Sequence, residues 1–202
     1  TEIYTLSLHD ALPIFGLLFL GHVDQVARQD RQLLGAARHV PEGDRYVRSG
    51  EWRKYEPALL LGTDIHGATL GVVGMGAIGT AVARRARGFG MRILYAGRSR
   101  RPEAEAETGA VHVPLDDLLR QSDFVSLNCA LTAETRGLIG TRELELMKPT
   151  AILVNTARGG VVKQAELAAA LRAGTIASAA IDVFEVEPVA HDDALVACKN
   201  AV

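Results

Sequence analysis

Apolar residues fall into short uniform runs separated by stretches of helical spacing. The runs occupy residues 69–73, 92–95, 110–113, 124–127, 151–155 and 178–181. Short apolar runs bounded by glycine and polar residues predict strands buried on both faces, as in a parallel sheet. Between the first two runs, Ile78, Val82, Ala86 and Phe89 are spaced four, four and three apart and so share one helix face. Residues 116–121 predict a short helix, and residues 141–147 another with Thr141 as N-cap. Residues 164–173 predict a helix stopped by Gly174 at its C′ position. Residues 97–108 read as a charged loop or weak helix. Strands alternating with helices give the fold class: α/β, a Rossmann-type doubly wound parallel sheet with its ligand at the carboxyl ends of the strands.

The chain ahead of this pattern is different. Residues 5–14 read like a translated frame of a common sequencing adapter, so residues 1–15 are taken as non-native and excluded from the fold. Residues 23–40 are mixed but helix-compatible, with Leu33, Leu34, Ala37 and Val40 as an apolar stripe. Residues 41–44 break it, and Asp44 caps a short helix through about Ser49. The irregular residues 50–57 carry the single tryptophan, Trp52. The division is therefore residues 16–66 as a helical remnant and arm, and residues 67–202 as the doubly wound domain, with another strand starting at residues 200–202.

Composition narrows the partners. A net charge of -2 gives no electrostatic reason to expect nucleic acid or an anionic membrane. The run at residues 14–20 is too short to span a bilayer and lacks signal-peptide flanks. Cys129 and Cys198 show no disulfide framework, and neither they nor the six histidines show metal-ligand spacing, so no metal site is expected and a reducing cytoplasm is the default.

The chemistry starts at Gly74-x-Gly76-x-x-Gly79, set between a strand pattern and a helix pattern. Gly74 permits the tight turn, Gly76 lets backbone approach a pyrophosphate, and Gly79 lets the helix pack on the strand. Ala77 and Ile78 open the helix, whose unpaired N–H groups and dipole favour phosphate. An NAD-selective domain carries an acid after its second strand to bind the ribose hydroxyls. Here Gly97, Arg98, Ser99 and Arg100 stand there instead, and guanidinium groups suit a 2′-phosphate, which predicts NADP with NAD still usable. Thr156, Ala157 and Arg158 follow an apolar strand where ligands bind, and an Arg there can grip a carboxylate and polarise a carbonyl. Asp182 ends the last strand and faces the same crevice. Glu187, held extended by Pro188, can orient a histidine and raise its pKa; Glu185 competes for that role.

Four marks, in order, now carry a resemblance: residues 74–79 (GMGAIG), 131–139 (LTAETRGLI), 147–159 (MKPTAILVNTARG) and 180–188 (AIDVFEVEP). From about Leu33 onward the chain resembles the D-isomer-specific 2-hydroxyacid dehydrogenases, in particular the glyoxylate and hydroxypyruvate reductase branch. The resemblance implies that Arg158 binds the substrate carboxylate and carbonyl, that Glu187 rather than Glu185 pairs with the catalytic histidine, and that Asp182 contacts the nicotinamide end. It implies hydride transfer between NADP(H) and a small 2-oxo or 2-hydroxy acid, and a homodimer built through the arm at about residues 33–57. The family's histidine follows a strand like the one starting at residue 200, and the last residue here is Val202, so the 202 residues alone are expected to turn over little or no substrate. Ala130 replaces the proline usual before Leu131, which touches only local loop geometry. The rival function is an NAD(P)-sensing, corepressor-like binding module; Arg158 and Glu187 favour the enzyme, since a sensor needs neither. Another Rossmann enzyme, such as a methyltransferase, is argued against by the Arg-Gly and Glu-Pro runs.

Overall fold

The computed structural model describes the backbone of residues 14–202 and side chains from residue 25. The adapter-like reading of residues 1–15 therefore lies, up to residue 13, outside the described residues. Two helices come first, α1 (Ile14–Ala37) and α2 (Val40–Arg48). The strands are β1 (Thr69–Val73), β2 (Arg92–Ala96), β3 (Val111–His112), β4 (Phe124–Leu127), β5 (Ile152–Asn155) and β6 (Ser178–Ile181). The interleaved helices are α3 (Ala77–Ala86), α4 (Pro102–Thr108), α5 (Leu115–Gln121), α6 (Thr141–Leu146) and α7 (Gln164–Ala173). All six strands are parallel, in the order β3-β2-β1-β4-β5-β6, with the order reversing between β1 and β4. This is the doubly wound order in which a ligand lies across the reversal.

Strand alternation divides the core between two faces. Leu70, Val72, Ile93, Tyr95, Phe124 and Val154 face one helix layer, and Val73, Leu94, Val125, Leu127 and Leu153 face the other. Val26, Leu33, Ala36 and Ala37 of α1 pack with Val82, Ala83 and Ala86 of α3 in the first of these layers. Tyr95 is wholly buried, and its hydroxyl donates to Glu105 Oε1 at 2.5 Å. Arg100 Nη2 lies 2.5 Å from Glu105 Oε2. The Arg100 and Tyr95 bonds hold the Glu105 carboxyl down at about 2. Arg100 therefore has a structural partner inside its own β–α unit.

Several boundaries differ from the sequence reading for identifiable reasons. Pro41 does not break the helix, because at its first turn the missing N–H has no helical partner to lose. Helix α2 starts at Val40, and Asp44 lies inside it, paired with Arg48 at 2.8 Å one turn on. Val40 itself is 61% exposed, since the left-handed His39 (φ 53°) ends the α1 stripe before it. Phe89 is 41% exposed because the 3-10 turn Arg87–Phe89 rotates it off the apolar face of α3. Thr141 is the first helical residue rather than the cap: its hydroxyl donates to Glu166 Oε2 at 2.8 Å, and Gly140 takes the cap position. Residues 97–108 resolve into a loop followed by α4. Residues 200–202 run along β6 without forming a strand: Ala201 makes an isolated parallel bridge to Ala179, and the Val202 N–H donates to the Ala179 carbonyl at 2.9 Å.

Candidate active site

Strand register alone assembles the crevice. Val73 pairs with Ala96 on one side and Leu127 on the other; Leu127 pairs with Asn155, and Asn155 with Ile181. The next residue of each strand therefore leaves the sheet in one row: Gly97, Gly74, Asn128, Thr156 and Asp182. At about 4.8 Å per strand the row is roughly 19 Å long. The sequence-derived candidates from four separate loops thus meet along a single edge.

The glycine turn is built as its spacing requires. Gly74 has φ 98°, a left-handed value that disfavours side chains, and a Cβ there would stand 2.8 Å from the backbone N of Cys129. A Cβ on Gly79 would stand 2.1 Å from the carbonyl oxygen of Gly74, so helix α3 sits directly against the turn. Gly76 is the opposite case: it is the exposed N-cap of α3, and a Cβ there would meet nothing within 4 Å. Open space on that side, with Ala77 and Ile78 opening the helix behind it, fits the pyrophosphate of a dinucleotide.

Gly97, Arg98 and Ser99 are all exposed at the end of β2. Across from them, Glu134 is held below the usual carboxylate range, first by the Thr132 hydroxyl (2.6 Å) and in smaller part by the positive charge of Arg98. Arg98 therefore has an acid, Glu134, near it, as Arg100 has Glu105. Cys129, beside the glycine turn, has its thiol pushed up by burial, which keeps it protonated and a poor nucleophile.

Arg158 is exposed at the end of a buried turn. Asn155, 1% exposed, closes that turn: its Oδ1 accepts the Ala157 N–H and its Nδ2 donates to the Arg158 carbonyl, both at 3.1 Å. The Arg158 guanidinium donates to the Ala157 carbonyl at 2.6 Å. Gly159 then runs so close to the next loop that a Cβ would stand 1.9 Å from the Phe184 carbonyl carbon. This contact joins the Arg158 turn to the loop carrying Asp182 and Glu187. Glu187 is exposed and accepts the Phe184 N–H at 2.9 Å. Glu185 accepts the Gln164 N–H at the start of α7, and Gln164 Oε1 accepts the Glu185 N–H, each at 3.0 Å. Glu185 is thereby occupied as a helix cap.

Sequence reasoning missed one wall of the crevice. Arg28 and Gln29 of α1 lie three and four residues after Gln25, so the three share a face. Gln25 Nε2 donates to the Thr156 carbonyl at 3.1 Å, and Arg28 Nη1 lies 3.4 Å from Asp182 Oδ2. Thr156 is buried, with its hydroxyl donated to Gln29. The spacing was visible as a polar stripe, but nothing in it named partners more than a hundred residues away. Among the described residues no group of three His, Cys, Asp or Glu side chains is placed to hold a metal, and no helix is long and apolar enough to cross a membrane.

Residues 31–202 match the family model for the D-isomer specific 2-hydroxyacid dehydrogenase, NAD binding domain. The chain is 56% identical over 171 residues to a glyoxylate reductase of Korarchaeum cryptofilum, covering 84% of this chain and 52% of that protein. It is 56% identical over 165 residues to a glyoxylate reductase of Thermococcus onnurineus, covering 80% and 49%. The crystal structure of a glyoxylate reductase from Paecilomyes thermophila superposes with a TM-score of 0.79 at 42% identity, covering 88% of this chain and 53% of that one. The chain spans about half the length of the curated relatives it matches.

Proposed function

Since the chain belongs to the D-isomer specific 2-hydroxyacid dehydrogenase family, as its NAD-binding domain, we propose that it forms the nicotinamide-binding half of a cytoplasmic glyoxylate or hydroxypyruvate reductase that prefers NADP(H). The observation that carries this reading is the row of strand ends, with the open side of Gly76 at one point and Arg158 at another. The bound dinucleotide supplies the hydride. The chain's residues bind and orient. Gly74, Gly76 and Gly79, with the N–H groups at Ala77 and Ile78, hold the pyrophosphate. Gly97, Arg98 and Ser99 take the adenosine ribose, with Arg98 on the 2′-phosphate. Thr156 and Ala157 form the buried floor beneath the cofactor, and Asp182 accepts hydrogen bonds at its nicotinamide end. Arg158 grips the substrate carboxylate and polarises the carbonyl that receives the hydride. Glu187 orients the proton-donating histidine of the intact enzyme and raises its pKa toward neutrality.

The test uses the intact enzyme with glyoxylate and hydroxypyruvate, each with NADPH and with NADH. Arg98→Asp is expected to weaken NADPH by at least about tenfold, or roughly 1.4 kcal/mol, while sparing or improving NADH. A cofactor preference unmoved by the substitution contradicts the NADP assignment, and no oxidation of either cofactor with either acid contradicts the reductase.

The exposed groove of about 240 Å³ beside α2, lined by Tyr46, Val47, Trp52, Tyr55, Leu59 and Leu60, belongs to the same reading. Trp52 is 60% exposed and Tyr55 82%. Exposed aromatics on one arm suit a homodimer contact through residues 33–57. Sedimentation of the intact protein as a monomer at micromolar concentration would contradict it.

A further inference from the structure

Gln29 is 0% exposed in α1 and precedes residues 31–202, the part matched to the family model. A buried primary amide must place both donor and acceptor. Gln29 Nε2 donates to Ser126 Oγ at 2.5 Å, and its Oε1 accepts the Thr156 hydroxyl. Each partner is a hydroxyl, so either orientation of the amide keeps both bonds. Ser126 Oγ also accepts Asn128 Nδ2 at 2.7 Å. A chain of hydrogen bonds thus runs Asn128–Ser126–Gln29–Thr156, from the end of β4 to the end of β5.

Both ends of this chain lie on the crevice. The carbonyl carbon of Asn128 stands 2.9 Å from where a Cβ on Gly74 would be. Thr156 opens the turn that Asn155 closes onto Arg158. The geometry points to Gln29 as a positioning residue that locks the loop beside the glycine turn to the loop carrying Arg158, so that both meet the dinucleotide in fixed relation. This rests on the nicotinamide reading above. It adds a helix-borne residue, outside the sheet, to what sets the site's shape.

Glutamate separates positioning from simple helix packing. Neutral glutamic acid offers one donor and one acceptor in nearly the same shape as the amide; its carboxylate can only accept, which both hydroxyls can meet by donating, so what separates the two forms is the charge placed in a closed site. Burial raises the pKa of such a group, so Gln29→Glu is compatible with the site at low pH and loses it as pH rises through that raised value. Among the described residues, the charged groups near this site are Arg28 and Asp30 on α1, Arg85 on α3, Arg158 after β5 and Asp182 after β6; Arg85 Nε lies 3.1 Å from Asp30 Oδ2, burial pushes the Asp30 carboxyl up, and the neutral Cys129 thiol follows β4. Wild type carries all of these, so its own pH profile is the reference.

NADPH affinity of the 202-residue chain is measured calorimetrically at about pH 5.5 and about pH 8, with far-UV circular dichroism at each point. Gln29→Met is expected to bind at least about tenfold more weakly than wild type. Gln29→Glu is expected within about threefold of wild type at the lower pH and at least about tenfold weaker at the higher, with its helical signal kept. If Gln29→Glu tracks wild type at both pH values, or Gln29→Met binds like wild type, the positioning role is overturned. If affinity and helical signal are lost together, Gln29 is a general fold residue and the role is again overturned. A wild-type chain that binds neither NADPH nor NADH instead overturns the nicotinamide reading itself.

Discussion

Arg158→Ala in the intact enzyme is expected to lower kcat/KM for glyoxylate by about a thousandfold, or roughly 4 kcal/mol of transition-state binding. Two losses combine. Removing a charged, two-pronged partner from a carboxylate costs about 1.5–3 kcal/mol. Removing a donor aimed at the oxygen that gains negative charge costs about a hundredfold or more. Arg158 suits both tasks because its backbone is fixed: Asn155, 1% exposed, clamps the turn at the Ala157 N–H and the Arg158 carbonyl. Arg158→Lys should recover only part of the loss, since an ammonium keeps the charge but not the planar fork. NADPH affinity, read separately by calorimetry, should change far less than kcat/KM. A loss in kcat/KM below about tenfold would remove Arg158 from the substrate site.

That site was legible wherever its logic is local. Strands β4 and β6 and helix α7 have the bounds that their apolar runs and Gly174 indicate, the glycine having φ 70° as a C′ residue must. The glycine turn, the basic loop and the Arg158 turn each follow a strand, and parallel pairing brings strand ends together without further information. The sequence pattern could not show which side chains had other work. Arg100 reads as part of the basic loop, yet Glu105 and the buried Tyr95 hydroxyl claim it for the fold. Glu185 and Glu187 are equivalent by composition, and only the packing of α7 against that loop ties Glu185 to Gln164. Gln29 is an ordinary helix residue until Ser126 and Thr156, at sequence separations of 97 and 127, are folded against it. The errors at Phe89 and Thr141 have the same origin on a smaller scale: a 3-10 turn and a competing glutamate from α7 each change what a local pattern does.

The same added methyl should have opposite effects at two glycines three residues apart. In Gly79→Ala the new Cβ would stand 2.1 Å from the Gly74 carbonyl oxygen, and backbone cannot swing aside as a side chain can. Overpacking of this kind costs about 3 kcal/mol, which lowers Tm by roughly 6–12 °C for a domain of this size. In Gly76→Ala the Cβ meets nothing within 4 Å. The helix loses about 0.5–1 kcal/mol from an alanine N-cap in place of glycine, so Tm should fall by no more than about 4 °C. With the pyrophosphate placed as proposed, the larger cost should appear only when ligand arrives, because the methyl would stand on the side from which it approaches. NADPH and NADH should both bind at least about tenfold more weakly, by roughly 1.4 kcal/mol or more. Both cofactors carry the same pyrophosphate, so an equal loss for the two separates this effect from that of Arg98. If Gly76→Ala stays folded and binds both dinucleotides as wild type does, the glycines serve only to turn the chain from strand into helix, and the open face beside them is not where the cofactor lies.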